Sequence, residues 1–399
     1  MDFKLLSSQL LIQLLLGFVS VFLVELVRDF YHLAGHYWQP LQRFHLLHHK
    51  AYRPDLTMAS LETYKKAQRY NDVPESILML VVAALVAGLL QSYGMAFGCL
   101  YSLSFLIPAI ARSQGLLLQS DFTHQPGALT EIPSTWTVNR AYHWRHHFDQ
   151  ADAYFSGHYT VVDKVLGTSL ALKDKVVAIT GASGAMGQAL IAELSLQGAK
   201  VVALTTHPDA GFQPEIEVLG WRLGAEADLA NRLKKVDILI INHGVNVYDD
   251  RSFLAMQQSY EVNTFSTLRL AELFLGTVTG FSHPATKELW INTSEAEVNP
   301  AFSPLYELSK RTLGDLITLR RLKAPCIIRK LVLGPFKSQL NPYGIMSARW
   351  IAWAIVALAK RDVRNIIVTI NPITYFTFPI KEFFQSLYFR LCSSSKQEA

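Results

Sequence analysis

The stretch AYHWRHHFDQ at 141–150 puts three imidazoles, His143, His146 and His147, into five positions. FHLLHH at 44–49 repeats the spacing with His45, His48 and His49, and His32 and His36 stand four apart. Residues three and four apart share one face of a helix, so each set presents its ring nitrogens together. His124 and His158 add single imidazoles, and ten of the thirteen histidines lie before residue 159. Clustered imidazoles at helical spacing suit zinc, iron, copper or nickel. Eight to ten ligands are too many for one tetrahedral ion, so the pattern implies two metal ions.

A different chemistry begins at VVAITGASGAMGQAL (176–190), an apolar strand, a glycine-rich turn and a helix start. Glycine there lets the backbone approach a pyrophosphate, which sits on the helix N-terminus. Further along lie DILIINHG (237–244), VNTF (262–265), WINTSEAEV (290–298), YELSK (306–310) and LVLGPFKS (331–338).

The elements that must carry these residues differ between the two halves. Half of the 399 residues are hydrophobic and 17% are charged, below the roughly 25% usual for soluble proteins. Residues 8–27 carry no charge before Glu25, and twenty helical residues make roughly 30 Å, one bilayer core. No basic flank or small-residue cleavage site marks this run as a signal peptide. Continued past the membrane by about a turn and a half, the same helix presents His32 and His36. A second apolar block, 77–111, is interrupted near 91–94 and reads as a hairpin of two short spans. Three spans, or one with a re-entrant pair, fit equally.

Lys50, Arg53, Lys65, Lys66 and Arg69 precede the hairpin, Arg112 follows it, and its tip has no Lys or Arg. The positive-inside rule then predicts an integral membrane protein with its catalytic domains on the cytoplasmic side. The net charge of +5, without a long basic run, suits anionic lipid headgroups better than nucleic acid. Three scattered cysteines, Cys99, Cys326 and Cys392, imply no disulfide framework.

After Lys173 the texture switches to alternating strand and helix signals. The expected organisation is a membrane domain at 1–170, an α/β domain at 174–392 and a disordered polar tail at 393–399. The stretch 343–361 reads as an amphipathic helix packed on the sheet. The aromatic-rich stretch 372–391 fits core packing and a membrane interface equally.

The order H-x-x-x-H, H-x-x-H-H, a lone His, then H-x-x-H-H resembles the fatty acid hydroxylase/sterol desaturase family. YFSGHYTVVDKVLGT (154–168) resembles that family's closing stretch, with Asp163 followed by Lys rather than the more usual Arg. The resemblance implies an all-α membrane domain with a histidine-ligated di-iron centre that uses O₂ to hydroxylate or desaturate a lipid. Its ligands would be His32, His36, His45, His48, His49, His124, His143, His146, His147 and His158. Breaking an unactivated C–H bond calls for a strongly oxidising metal, a role open to iron and closed to zinc.

The second set of motifs resembles the short-chain dehydrogenase/reductase family, which implies a Rossmann-type doubly wound parallel sheet. The fingerprint fits T-G-x-x-G-x-x-G, giving Thr180, Gly181, Ser183, Gly184, Met186 and Gly187 as cofactor-binding residues, with Asn242 and Gly244 after a later strand. In this family pattern Tyr306 would exchange the proton of a carbinol. Lys310, one helical turn on, would bind cofactor and lower the tyrosine pKa towards neutrality. Ser294 would orient the carbonyl, and Asn263 would hold a water that relays protons. Ser294 lies twelve residues before Tyr306, one short of the commonest gap, so Thr293 rivals it. VVALTTH (201–207) lacks the acidic residue that grips the ribose of NAD. Thr205 and Thr206 could accept a 2′-phosphate, which favours NADP over NAD. Only twelve residues separate this strand from the next, too few for the usual helix, and Glu226 and Asp228 lie near where an adenine contact is expected.

The whole chain resembles proteins described as bifunctional sterol desaturase/short-chain dehydrogenases in cyanobacteria. The joint reading is lipid hydroxylation followed by NAD(P)-dependent adjustment of the oxidation level. A hydride carries two electrons and iron takes them singly, so a separate donor, ferredoxin or a small cytochrome, is expected. The alternative is a dehydrogenase with an inactive histidine-rich membrane anchor.

Overall fold

An apolar run with no proline lets the chain open on one long helix, α1 (Phe3–Tyr37). The computed structural model describes residues 3–394, so the tail expected at 393–399 lies, from 395 on, outside the described residues. Residue contacts divide the chain after Ser169.

In the first unit, α1 exposes Leu10, Leu14 and Phe18 while burying Ser20, Val24 and Glu25. Pro40 in the first turn starts α2 (Gln39–Lys50), which carries the second histidine set. Ser60 caps α3 (Leu61–Leu90) by accepting the Thr63 amide, and a π-helical turn at Gln68–Asp72 interrupts this helix. The interruption expected near 91–94 is the turn into α4 (Phe97–Gln114), where Gln91 takes a left-handed conformation with φ 46°. Two helical stretches, Ser8–Tyr37 and Leu61–Leu90, are long and apolar enough to cross a membrane. Asn139 caps α5 (Arg140–Trp144), which continues into a second π-helical turn, Arg145–Asp149. A short α6 (Val161–Leu166) follows.

The second unit is a seven-stranded, all-parallel sheet in the order β3-β2-β1-β4-β5-β6-β7. Its strands are β1 (Val176–Thr180), β2 (Lys200–Thr205), β3 (Glu217–Gly220), β4 (Ile238–Ile241), β5 (Glu288–Asn292), β6 (Ile327–Leu333) and β7 (Asn365–Val368). A parallel sheet must be covered on both faces, and the strands read accordingly. Val177 and Ile179 pack under α7 (Ala185–Leu196) and α11 (Ala348–Ala359), so 343–361 does supply a sheet-covering helix. Ala178, Leu239 and Leu289 pack under α9 (Thr267–Leu275) and α10 (Pro304–Arg321). Upstream, α8 (Phe253–Tyr260) enters α9 through a third π-helical turn, Glu261–Ser266. No helix joins β2 to β3, as their short separation requires. The last element described is α12 (Thr374–Cys392). This order reverses at β1, which places a crevice at the carboxyl ends of β1 and β4.

Candidate functional site

Two groups of imidazoles converge in the first unit: His32, His36, His45, His49 and His146, and separately His48, His124, His143 and His147. H-x-x-H-H feeds both groups because neighbouring residues on a helix point about 100° apart. His49 and His146 turn into the first group, and His48 and His147 into the second.

The rings meet through Nε2. His146 lies 2.9 Å from His32 and 3.1 Å from His36, and His45 lies 2.8 Å from His36 and 3.0 Å from His49. In the second group His124–His143 is 3.0 Å, and His147 lies 3.1 Å from each of His48, His124 and His143. Nitrogens about 2.1 Å from one ion stand roughly 3.0 Å apart at right angles and roughly 3.4 Å apart in a tetrahedron. The observed contacts are of the size that rings sharing one ion would show.

Several of the far ring nitrogens are held by other groups, as suits metal-binding imidazoles. His45 Nδ1 lies 3.2 Å from Asn71, His124 Nδ1 2.8 Å from Asp121, and His146 Nδ1 2.8 Å from the Ala153 carbonyl. His48 Nδ1 lies 3.4 Å from Asp72. The π-helical turn at Gln68–Asp72 is what turns Asn71 and Asp72 to these rings. Burial first, and repulsion from neighbouring imidazoles next, hold His143, His146 and His147 well below the usual range, and His49 at about 3. They are neutral at physiological pH, the form that binds metal.

His158, expected among the ligands, belongs to neither group. Its backbone is pinned on either side: Asp29 accepts the Gly157 amide at 2.6 Å, and the His158 carbonyl accepts the Val138 amide at 2.7 Å. Its ring rests against Tyr159 at 4.6 Å. The closing-stretch carboxylate has its own task. Asp163 accepts hydrogen bonds from the Phe155 and Ser156 amides at 2.8 Å, Tyr142 at 2.9 Å and Thr168 at 2.6 Å.

In the second unit the glycines make a cradle. Gly181 has φ 63°, and a Cβ on Gly187 would stand 2.3 Å from the Gly181 carbonyl. The helix α7 begins directly after Gly184, and first-turn amides have no partner within their own helix. These residues fit a dinucleotide pyrophosphate. Thr180 stitches β1 to β4: its hydroxyl accepts the Asn242 amide at 3.0 Å and meets His243 Nδ1 at 2.9 Å. Asn242 accepts from Asn292 at 3.0 Å, while Met186 is buried under the turn. At the end of β2, Thr205 donates to Ser183 at 3.1 Å and accepts the His207 amide at 3.0 Å. Exposed Thr206 lies 2.9 Å from His207 Nδ1, so these two side chains lean on each other. Glu226 is taken by Arg269 and Ser266 and Asp228 is exposed, so Glu226 braces α9.

Ser294, Tyr306 and Lys310 come together. Tyr306 is hydrogen-bonded to the Ser294 side chain, whereas the Thr293 hydroxyl is buried without a partner. Lys310 donates to the Asn292 carbonyl at 2.9 Å, with its Nζ 6.0 Å from the Tyr306 ring centre. Burial lowers Lys310 to about 8, against the opposing pull of Glu297. Tyr306 departs from expectation: burial pushes it above the usual phenol range, and only Ser294 opposes this. Asn263 commits its side chain to the backbone of Val245, at 2.8 and 3.0 Å, and to Ser309 at 3.0 Å. It fixes the loop behind Gly244.

His243 carries no role in the sequence reading; its ring lies 5.2 Å from Trp221, and its Nε2 is buried without a partner. Burial and Lys310 lower it to about 3.

The parallel strand order with the Ser294–Tyr306–Lys310 group gives the second unit a fold and residue pattern like those of short-chain dehydrogenases/reductases, and it is joined to a helical histidine unit. No protein-family model matches the chain. It is 54% identical over 405 residues to the monoglucosyldiacylglycerol epimerase of Synechocystis sp., covering 96% of this chain and 97% of the relative. The chain belongs to the family of that epimerase.

Among solved structures, a short-chain dehydrogenase from Burkholderia cenocepacia in complex with NADP is 18% identical, with TM-score 0.47, over 56% of this chain and 100% of its own. An alcohol dehydrogenase from Thermococcus sibiricus with 5-hydroxy-NADP is 18% identical, with TM-score 0.44, over 51% and 98%.

Proposed function

We propose that this chain is a membrane-bound, nicotinamide-dependent enzyme that inverts one hydroxyl-bearing carbon in the sugar headgroup of a glycosyl diacylglycerol. The observation that carries the reading is the Ser294–Tyr306–Lys310 group beside a glycine cradle, in a chain 54% identical to a glycolipid epimerase. An unactivated carbinol centre is inverted by oxidation to the ketone and reduction from the opposite face.

When bound by Thr180, Gly181, Ser183, Gly184, Met186, Gly187, Asn242 and Gly244, NAD or NADP supplies a hydride acceptor that becomes the donor on the return. The thin polar lining at Thr205 and Thr206 favours NADP. Tyr306 takes the carbinol proton as the ketone forms and gives it back after the sugar turns over. Ser294 holds the reacting oxygen beside the phenol. Lys310 brings positive charge to the same face, which favours the phenolate in passing. Asn263 fixes the loop at Val245. The net reaction leaves the oxidation level of lipid and cofactor unchanged, so the expected chemistry of the second unit is broader than one-way dehydrogenation.

The convergence of nine imidazoles favours a second reading for the first unit. It holds two iron ions, which when bound would supply the oxidising power for O₂-dependent hydroxylation or desaturation of a lipid, with electrons from a ferredoxin or small cytochrome. The residues around them act by position: Asn71, Asp72 and Asp121 orient the rings, and Asp163 fixes the segment beside them. The apolar helices keep this unit in the membrane, and the basic residues at 50–69 favour the cytoplasmic side for residues 28–75 and for everything after 112, the domain at 174–392 included.

One experiment separates the readings. The purified full chain is given monoglucosyldiacylglycerol and a catalytic amount of nicotinamide nucleotide under strict anaerobiosis. The epimeric glycolipid should form, with a carbon-bound deuterium retained at the inverted centre. A product that forms only with O₂, or exchange of that deuterium with water, would overturn the epimerase reading.

A further inference from the structure

The aromatic-rich stretch at 372–391 forms a single helix, α12, that is fixed on one side and bare on the other. Phe378 is buried, Lys381 donates to Glu297 at 3.0 Å and pairs with Asp315 at 2.8 Å, and Glu382 binds Lys330 at 2.7 Å and Arg321 at 3.0 Å. These ion pairs, buried at Lys330 and Glu297, fix the rotation of the helix about its axis. Phe376, Ile380, Phe383, Phe384, Tyr388 and Leu391 are therefore held outward, with Phe376 70% and Leu391 75% exposed. Their spacing of three and four makes one continuous stripe, with no charged side chain within it.

The helix is tied to the reacting hydroxyls. Thr374, in its first turn, donates to the Glu295 carboxylate, and Asn371 donates to the same carboxylate at 2.8 Å. Glu295 is also bound by Thr369 at 2.6 Å and directly follows Ser294, the partner of Tyr306.

We propose that this stripe rests on the lipid surface, so that α12 lies in the bilayer interface and brings glycolipid headgroups within reach of Tyr306. Along its length the stripe presents hydrocarbon and aromatic surface, which suits lipid better than the mixed polar surface of a protein interface. Phenylalanines with Tyr388 among them match the interfacial belt, where rings sit at headgroup level. Nineteen residues make a rod of roughly 28 Å, suited to lying in the interface plane. The bilayer is at hand by covalent connection, because the same chain carries apolar helices at Ser8–Tyr37 and Leu61–Leu90. The functional part of this assignment rests on the glycolipid reading, whereas the contact itself does not.

The test uses the full chain in nanodiscs holding one copy each, with Cys99→Ser and Cys392→Ser and a fluorescent label on Phe384→Cys. A parallel sample is labelled at Ser195→Cys, an exposed position on α7. Nitroxide lipids should quench the Phe384 label, and aqueous iodide should reach it several-fold less than the Ser195 label. A Phe384 label open to iodide overturns the proposal. So does one shielded from iodide yet untouched by nitroxide lipids, which marks contact with protein, as does shielding that arises only with two copies per disc. Phe383→Glu with Phe384→Glu should raise the KM for glycolipid at least about tenfold while NADPH binding, read by its fluorescence, stays as it was. An unchanged KM in an active enzyme refutes the link to substrate. Inactivity of the parent chain towards glycolipid strikes the functional reading and leaves the quenching result standing.

Discussion

Ser294 reaches Tyr306 from a left-handed backbone conformation, with φ 73°. This is a costly geometry for a residue other than glycine. It is held by the neighbour: the Glu295 carboxylate, bound by Thr369, Asn371 and Thr374, anchors the turn on one side, and Ser294 itself caps the short helix that follows. The serine therefore turns to the tyrosine, while Thr293, the rival by spacing, turns away. Ser294→Ala should cut hydride transfer by about 10²-fold, the usual loss of one oriented donor, and Tyr306→Phe should cut it further with NADPH affinity kept. Thr293→Ala removes a buried hydroxyl that has no partner and should leave turnover within a few-fold. Stopped-flow nucleotide absorbance with the glycolipid present checks all three.

The imidazole groups predict a metal count. Protein purified from iron-replete cells should carry about two ions per chain, each group taking one. His146→Ala, which removes a nitrogen within 3.1 Å of both His32 and His36, should lower this to about one. His158→Ala should leave it at about two, because that ring lies outside both groups. Elemental analysis by mass spectrometry decides between them.

Asp163 is a buried carboxylate with four donors around it, one of them Tyr142, the residue before His143. Asp163→Ala strands those donors and should cost about 3 kcal/mol or more. Thermal unfolding should show a lowered melting point with metal lost alongside. Asp163→Asn, which keeps the shape and part of the accepting capacity, should recover some of both.

His243 makes the second unit sensitive to acid. Its folded pKa of about 3 lies below the ordinary value of 6.5, so between these limits the unfolded chain binds a proton that the native one refuses. Stability contributed by this residue is whole above pH 6.5 and falls as pH drops towards 3, with a slope of up to about 1.4 kcal/mol per pH unit. In His243→Gln the slope should flatten between pH 6.5 and 4.5. The fluorescence of Trp221, whose ring lies 5.2 Å away, reports the transition.

Much of this was legible because it is local. H-x-x-H-H needs only helical phase to bring imidazoles together, and the strand, glycine turn and helix at 176–190 need only short-range stereochemistry. What escaped depends on segments far apart in the chain. The partition of the histidines into two groups needs the crossing of α1, α2 and α5. Asn71 as a ring partner leaves no spacing signal, since it arrives from another helix, whereas Asp121 stands only three residues before the ring it meets. His158 fits the family order, yet backbone bonds from Asp29 and Val138 settle its direction. One helical turn places Lys310 near the tyrosine ring but says nothing of the Asn292 carbonyl that takes its ammonium group. Either reading of 372–391 was open until Lys381 and Glu382 found buried partners.

Three π-helical turns, at Gln68–Asp72, Arg145–Asp149 and Glu261–Ser266, each carry residues that face a site. Such a turn holds one residue more than an α-helical turn. Excising that residue would leave the helix intact yet swing everything beyond it by about 100°, carrying Asn71 from His45 or Asn263 from the loop at Val245. The chemistry of both units is thus written partly as a residue count, and a shortened helix with every ligand still in place would be as damaged as one that had lost them.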